Sequence, residues 1–161
     1  MVRRVVLLLA LLTLAEVAAG ATITVRKDGT GDYGVIQQAL DAAASGDTIR
    51  IGPGEYLEST AVRFPAWSWD IQSYANVMVD NLTIIGSGYD QTYIGPTAYS
   101  GNYSLASPKG LTYIDGGNIR IANLCLRNCY DGMFVHGTLF VEHCAFDNHS
   151  NGLYWEPVGG G

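Results

Sequence analysis

Gly117-Asn-Ile-Arg-Ile-Ala-Asn-Leu-Cys-Leu-Arg-Asn128 and Gly137-Thr-Leu-Phe-Val-Glu-His-Cys-Ala-Phe-Asp-Asn148 are two copies of one pattern, twenty residues apart. The offset places Ile119 on Leu139, Ile121 on Val141, Leu124 on Cys144, Leu126 on Phe146, Asn128 on Asn148, Gly132 on Gly152 and Met133 on Leu153. Within each copy the apolar residues alternate, which is the mark of a strand with one buried face. A break at Ala122-Asn123 divides the first copy into two short strands joined by a corner. A self-match with a period near twenty residues is the signature of stacked repeats.

Stacking one copy on the other puts matched positions about 4.8 Å apart, the spacing of paired strands. Leu124 is then expected over Cys144 and Leu126 over Phe146, with Asn128 and Asn148 forming a side-chain ladder at a turn. The expected fold is all-β: a right-handed parallel β-helix, that is, a solenoid, with an N-terminal capping α-helix. A leucine-rich repeat competes, because Ile121, Leu124, Leu126 and Cys129 fit its spacing. That motif wants a further apolar residue where the copies carry Asp131 and Asn151, and Asp131-Gly-Met-Phe-Val135 reads as a turn followed by another strand.

Residues 1–21 read as a secretory signal peptide, with Arg3 and Arg4, an apolar run from Val5 to Leu14 and the small residues Ala19-Gly20-Ala21. That run is shorter than the ~20 residues that span a bilayer. The remaining residues, 22–161, are of single-domain size. Of 9 Lys/Arg and 15 Asp/Glu, loss of Arg3, Arg4 and Glu16 leaves 7 basic and 14 acidic residues. An acidic chain without a basic run argues against nucleic acid as a partner. The expected location is secreted, periplasmic or cell-surface, with no membrane association after signal cleavage.

The mature part opens with a strand at Thr22-Ile-Thr-Val-Arg26 and a Gly/Asp-rich turn. The period then changes: Val35, Ile36, Ala39, Leu40 and Ala43 share one face, predicting an amphipathic helix over 32–44 with Asp32 as N-cap. Ser45-Gly46-Asp47 ends it. Its expected role is to cover the open edge and core of the first coil.

Val25-Arg-Lys-Asp-Gly-Thr-Gly-Asp-Tyr33, Ile36-Gln-Gln-Ala-Leu-Asp-Ala-Ala43, Ile49-Arg-Ile-Gly-Pro-Gly-Glu-Tyr56 and Asn81-Leu-Thr-Ile-Ile-Gly-Ser-Gly-Tyr-Asp90 with Thr92-Tyr-Ile-Gly95 resemble the pectin lyase-like β-helix superfamily. The likeness is above all to the N-terminal part of pectinesterases. It implies the fold more specifically than an activity. The pectinesterase mechanism that it implies uses one aspartate as general acid and base, another as nucleophile, an arginine and glutamine side chains. At the matching stretch Ser150-Asn-Gly-Leu-Tyr154, Ser150 stands for the family's glutamine and Asn151 for its acid/base aspartate. An amide does not exchange protons as a carboxyl does. The nucleophile and arginine belong to later coils, and Pro157-Val-Gly-Gly-Gly161 carries no cap signature, so a fragment is expected.

Asp131 and Asp147 are the candidate catalytic carboxylates, against the alternative that turn aspartates serve turn geometry. Asp115 and Asp147 are the corresponding candidates for a glycosidase pair or a calcium site, since calcium takes carboxylate oxygens. Two segments interrupt the pattern, 58–76 and 96–110. The first carries Trp67, Trp69 and Tyr74, candidates for an aromatic platform under a sugar ring, unless they only cover the protein's own apolar side. His136, His143, His149, Cys125, Cys129 and Cys144 cluster near the end without a metal-binding spacing. No metal site is assigned to them: Cys144 is expected in the core, Cys125 pointing outward and the histidines facing solvent. Asn81, Asn102 and Asn148 open glycosylation sequons. Two functions follow as expectations. One is an exported polysaccharide-binding or surface module, non-catalytic as the chain stands. The other is a carbohydrate-active enzyme of pectinesterase or pectate lyase type whose catalytic coils are missing from this chain.

Overall fold

The computed structural model describes residues 20–63, 70–98, 108–113, 117–147 and 149–155. Trp67, Trp69, Asn102, Asp115 and Asn148 lie outside these, and with them the ladder expected at Asn128 and Asn148. Among the described residues the chain is mostly β-strand, arranged in three sheets. The first contains β1 (Thr22–Val25), β2 (Thr48–Ile51), β6 (Leu82–Ile85), β9 (Asn118–Ala122) and β12 (Thr138–Glu142), in that order. The second contains β3 (Gly54–Tyr56), β7 (Thr92–Ile94), β10 (Cys125–Arg127) and β13 (Ala145–Asp147). The third contains β4 (Thr60–Arg63), β5 (Asp70–Val77), β8 (Lys109–Tyr113), β11 (Asp131–Val135) and β14 (Asn151–Trp155). From β2 onward the chain visits the first, second and third sheets in rotation, and every pairing is parallel except β4 with β5.

The twenty-residue offset reappears as strand register. Ile119 pairs with Leu139, Ile121 with Val141, Leu126 with Phe146 and Met133 with Leu153. These pairs extend columns that start earlier. Ile23, Ile49, Ile84, Ile121 and Val141 follow one another across the first sheet. Tyr56, Ile94, Leu126 and Phe146 do so across the second, and Ala75, Leu111, Met133 and Leu153 across the third. β-branched side chains suit such a column because their stiff rotamers stack without losing further freedom. Leu124 is fully buried and Cys144 half-buried against the same core, with Ala145 N–H donating to Leu124 O at 3.0 Å. Between β9 and β10 Asn123 turns the corner in the left-handed region (φ 58°), and His143 does so one repeat later (φ 50°). Asparagine tolerates that region better than most residues. Gly132 is needed for close approach: a Cβ there would lie 2.5 Å from Gly152 O and 2.6 Å from Phe146 Cδ1.

Helix α1 (Ile36–Ala42) is shorter than the periodicity predicts. Asp32 is not its N-cap. Its carboxylate instead accepts from Thr24 N and Oγ1 at 2.8 and 2.7 Å, tying the turn back to β1, and Val35 occupies the cap position without a side-chain bond. Ile36, Ala39 and Leu40 are buried in the common core, and the helix lies against β1, β2 and β5. Asp47, just after it, accepts from Ala44 N and Ala21 N and so holds the helix exit to the start of β1. The interrupting segment 58–76 also differs from a plain loop, because it contains β4 and most of β5, paired antiparallel. Pro65 and the aromatic run obscured the short alternations on either side of them.

Candidate functional site

At the beginning of the third sheet's strands, four polar residues stand level with one another. Ser73 pairs with Lys109 and Asp131 with Asn151, while Leu111 opposite Met133 brings Lys109 level with Asp131. Lys109 is 6% exposed and Asp131 2%. Charged residues are rarely buried to this degree without a partner. Asn151 Nδ2 donates to Asp131 Oδ1 at 2.8 Å, and the Lys109 ammonium lies 4.7 Å from the centre of the Tyr130 ring. Burial pushes the Lys109 ammonium below its ordinary pKa, and the charge of Asp131 works in the opposite direction. A basic and an acidic side chain thus share a buried corner, where electrostatic interactions are stronger than in water.

Asp147 is elsewhere. It lies exposed on β13 in the second sheet, in register with Arg127 of β10. The Arg127 guanidinium stacks over Tyr93, 4.1 Å from the ring centre, and donates through Nη2 to Glu55 Oε1 at 2.6 Å. Thr97 Oγ1 donates to the other Glu55 oxygen at 2.9 Å. The bonds from Arg127 and then Thr97 hold the Glu55 carboxyl below the usual range. Asp131 and Asp147 therefore stand on different sheets, one buried and bonded to an amide, the other exposed beside an arginine. General acid–base chemistry needs its groups within hydrogen-bond reach of one reacting centre.

The cysteines and His149 have packing roles. Cys125 is on the outer face of β10, as alternation requires, yet only 4% exposed, between Tyr93 and Ala145 on the neighbouring strands. Outward here does not mean wet. Cys125, Cys129 and Cys144 are free thiols, all pushed up by burial, Cys129 to about 12. Burial disfavours the thiolate form at all three positions. His149 corrects the expectation of solvent-facing histidines: its Nε2 lies 2.7 Å from Leu126 O and its Nδ1 3.4 Å from Cys129 N. Nε2–H donates to the Leu126 carbonyl, and Nδ1 faces both Cys129 N at 3.4 Å and Cys129 O at 3.3 Å, so the ring ties the second copy to the first. Among the described residues no group of three His, Cys, Asp or Glu is placed to hold a metal ion.

Tyr74 is half-buried against the core, and burial raises its phenol pKa. A different aromatic pair is present. Phe134 of β11 and Tyr154 of β14 stack with ring centres 5.1 Å apart and planes 1° from parallel, and Tyr154 is 40% exposed. The twenty-residue alignment already matches these two positions, so an aromatic next to the Met133/Leu153 pair was the available signal. Lys109 and the Glu55–Arg127 pair had no comparable signal, since each depends on register across interruptions. Asn81 is exposed in the left-handed region (φ 58°), donates to Ser45 Oγ and accepts from Asn118 Nδ2.

No protein family, curated protein or solved structure matches this chain significantly. Among the described residues no helix is long and apolar enough to cross a membrane.

Proposed function

We propose that the three sheets are the faces of a right-handed parallel β-helix of the pectin lyase-like kind, exported by residues 1–21, and that the chain binds polysaccharide without transforming it. Rotation of successive strands through the three sheets supports the solenoid. The strong preference of parallel crossover connections for the right hand supports its handedness. The observation that carries the non-catalytic reading is the Asp131–Asn151 hydrogen bond. An amide occupies the position matched to the family's acid/base aspartate, and the neighbouring carboxylate is buried and committed to that amide. Tyr154, stacked on Phe134 and 40% exposed, is the aromatic side chain offered to a sugar ring.

Incubation with methyl-esterified pectin, and with polygalacturonate plus calcium, is expected to release neither methanol nor unsaturated products. Affinity electrophoresis in gels containing these polymers is expected to retard the chain, and Tyr154→Ala to relieve the retardation. Equal mobility with and without every polymer removes the binding reading.

The enzyme reading rests on one observation, the buried Lys109 level with Asp131, since perturbed charged groups gather at functional sites. Turnover that survives repurification and disappears in Asp131→Asn would establish it and end the non-catalytic proposal.

A further inference from the structure

Strand β4 accompanies β5 only from Asp70 to Ser73, so the outer edge of β5 runs on past its strand partner toward Val77. Helix α1 lies against β5. From it Gln37 reaches Asn76, 39 residues away in sequence: Asn76 N–H donates to Gln37 Oε1 at 2.9 Å, and Gln37 Nε2 donates to Asn76 O at 3.1 Å. The N–H and C=O of one strand residue point to the same side, and a neighbouring parallel strand would engage both. A carboxamide offers the same donor and acceptor in one plane as a peptide group does. Its orientation is also settled chemically. Gln37 Nε2 donates to Asp41 Oδ1 at 2.8 Å, one helical turn on, and a carboxylate only accepts, so the nitrogen must lie on that side.

We infer that Gln37 is an edge-sealing residue. Its carboxamide takes the place of a strand at Asn76 and keeps this edge of the third sheet from pairing with a second copy of the chain. Exposed strand edges are templates for such pairing, and folded β-proteins block them by covering or charging them. Here the cover is a helix, and the contact that makes it specific is one side-chain amide. Ile36, Ala39 and Leu40 anchor α1 independently of Gln37, so the seal and the helix are separable by mutation.

The test uses the full chain, by site-resolved hydrogen exchange and sedimentation velocity over a range of concentrations. In the parent protein the Asn76 amide is expected to exchange as slowly as the β5 amides bonded to β8. Exchange at the rate of an open loop overturns the inference without any variant. Gln37→Met keeps the length and the apolar stem and removes the amide. It is expected to speed Asn76 exchange about tenfold or more and to make self-association stronger than in the parent. Unchanged exchange at Asn76 overturns the inference. So does faster exchange with no added association, because the contact then only helps to hold the helix.

Discussion

The two copies of the repeat use the same residue classes at the same offset and have opposite fates. In the first copy Ile121, Leu126 and Met133 are each 0% exposed. Their register partners Val141, Phe146 and Leu153 in the second copy are 39%, 39% and 50% exposed. Apolar alternation, the left-handed corner conformation and strand lengths match in the two copies. The difference comes from stacking. The first copy lies between β6, β7 and β8 on one side and the second copy on the other, whereas the second copy has a described neighbour on one side only. A side chain in such an array is buried by the layers above and below it, so its own sequence fixes its direction but not its burial.

The comparison is open to direct test. Leu126→Ala is expected to cost about 3 to 5 kcal/mol, since a fully packed site relaxes poorly, and Phe146→Ala about 1 kcal/mol or less. Urea unfolding of both variants measures the contrast, and equal costs would break it. Leu40→Ala, at the helix-covered end, is expected to cost about 2 to 4 kcal/mol. An unchanged unfolding midpoint would mean that α1 does not share the core.

Cys129 tests the first copy by pH. Burial pushes the folded thiol up to about 12, whereas the unfolded thiol releases its proton near the ordinary value of 9.0. The unfolded state loses its proton first, so this contribution to stability is complete below about pH 9 and falls as pH rises toward 12. The slope is at most about 1.4 kcal/mol per pH unit, and Cys129→Ala should flatten it. Among the thiols, half-buried Cys144 of the second copy should be alkylated first in the native protein, ahead of buried Cys125 and Cys129. The reverse order would contradict the difference in burial between the copies. Smallest of all, Phe140→Ser should change stability by no more than ~0.5 kcal/mol. Phe140 is exposed on β12 opposite Arg120, whose guanidinium pairs with Glu142 on the same surface.

The sequence alone determined what depends on periodicity. Alternation identified the strands of both copies, and the self-match gave their register. These are repeated, local signals, and each copy reinforces the other. Asp32 shows where local reasoning ended: it had the right chemistry for an N-cap, yet Thr24 on the neighbouring strand claimed its oxygens. Only the tertiary structure decided that Gln37 meets Asn76, that Arg127 reaches Glu55 across 72 residues, and that Lys109 lies level with Asp131 while Asp147 stands on another sheet. The physical reason is register across interruptions. Segments of unequal length separate the earlier strands, so no fixed period relates these residues, and side-chain hydrogen bonds form only after the sheets have set which positions become neighbours.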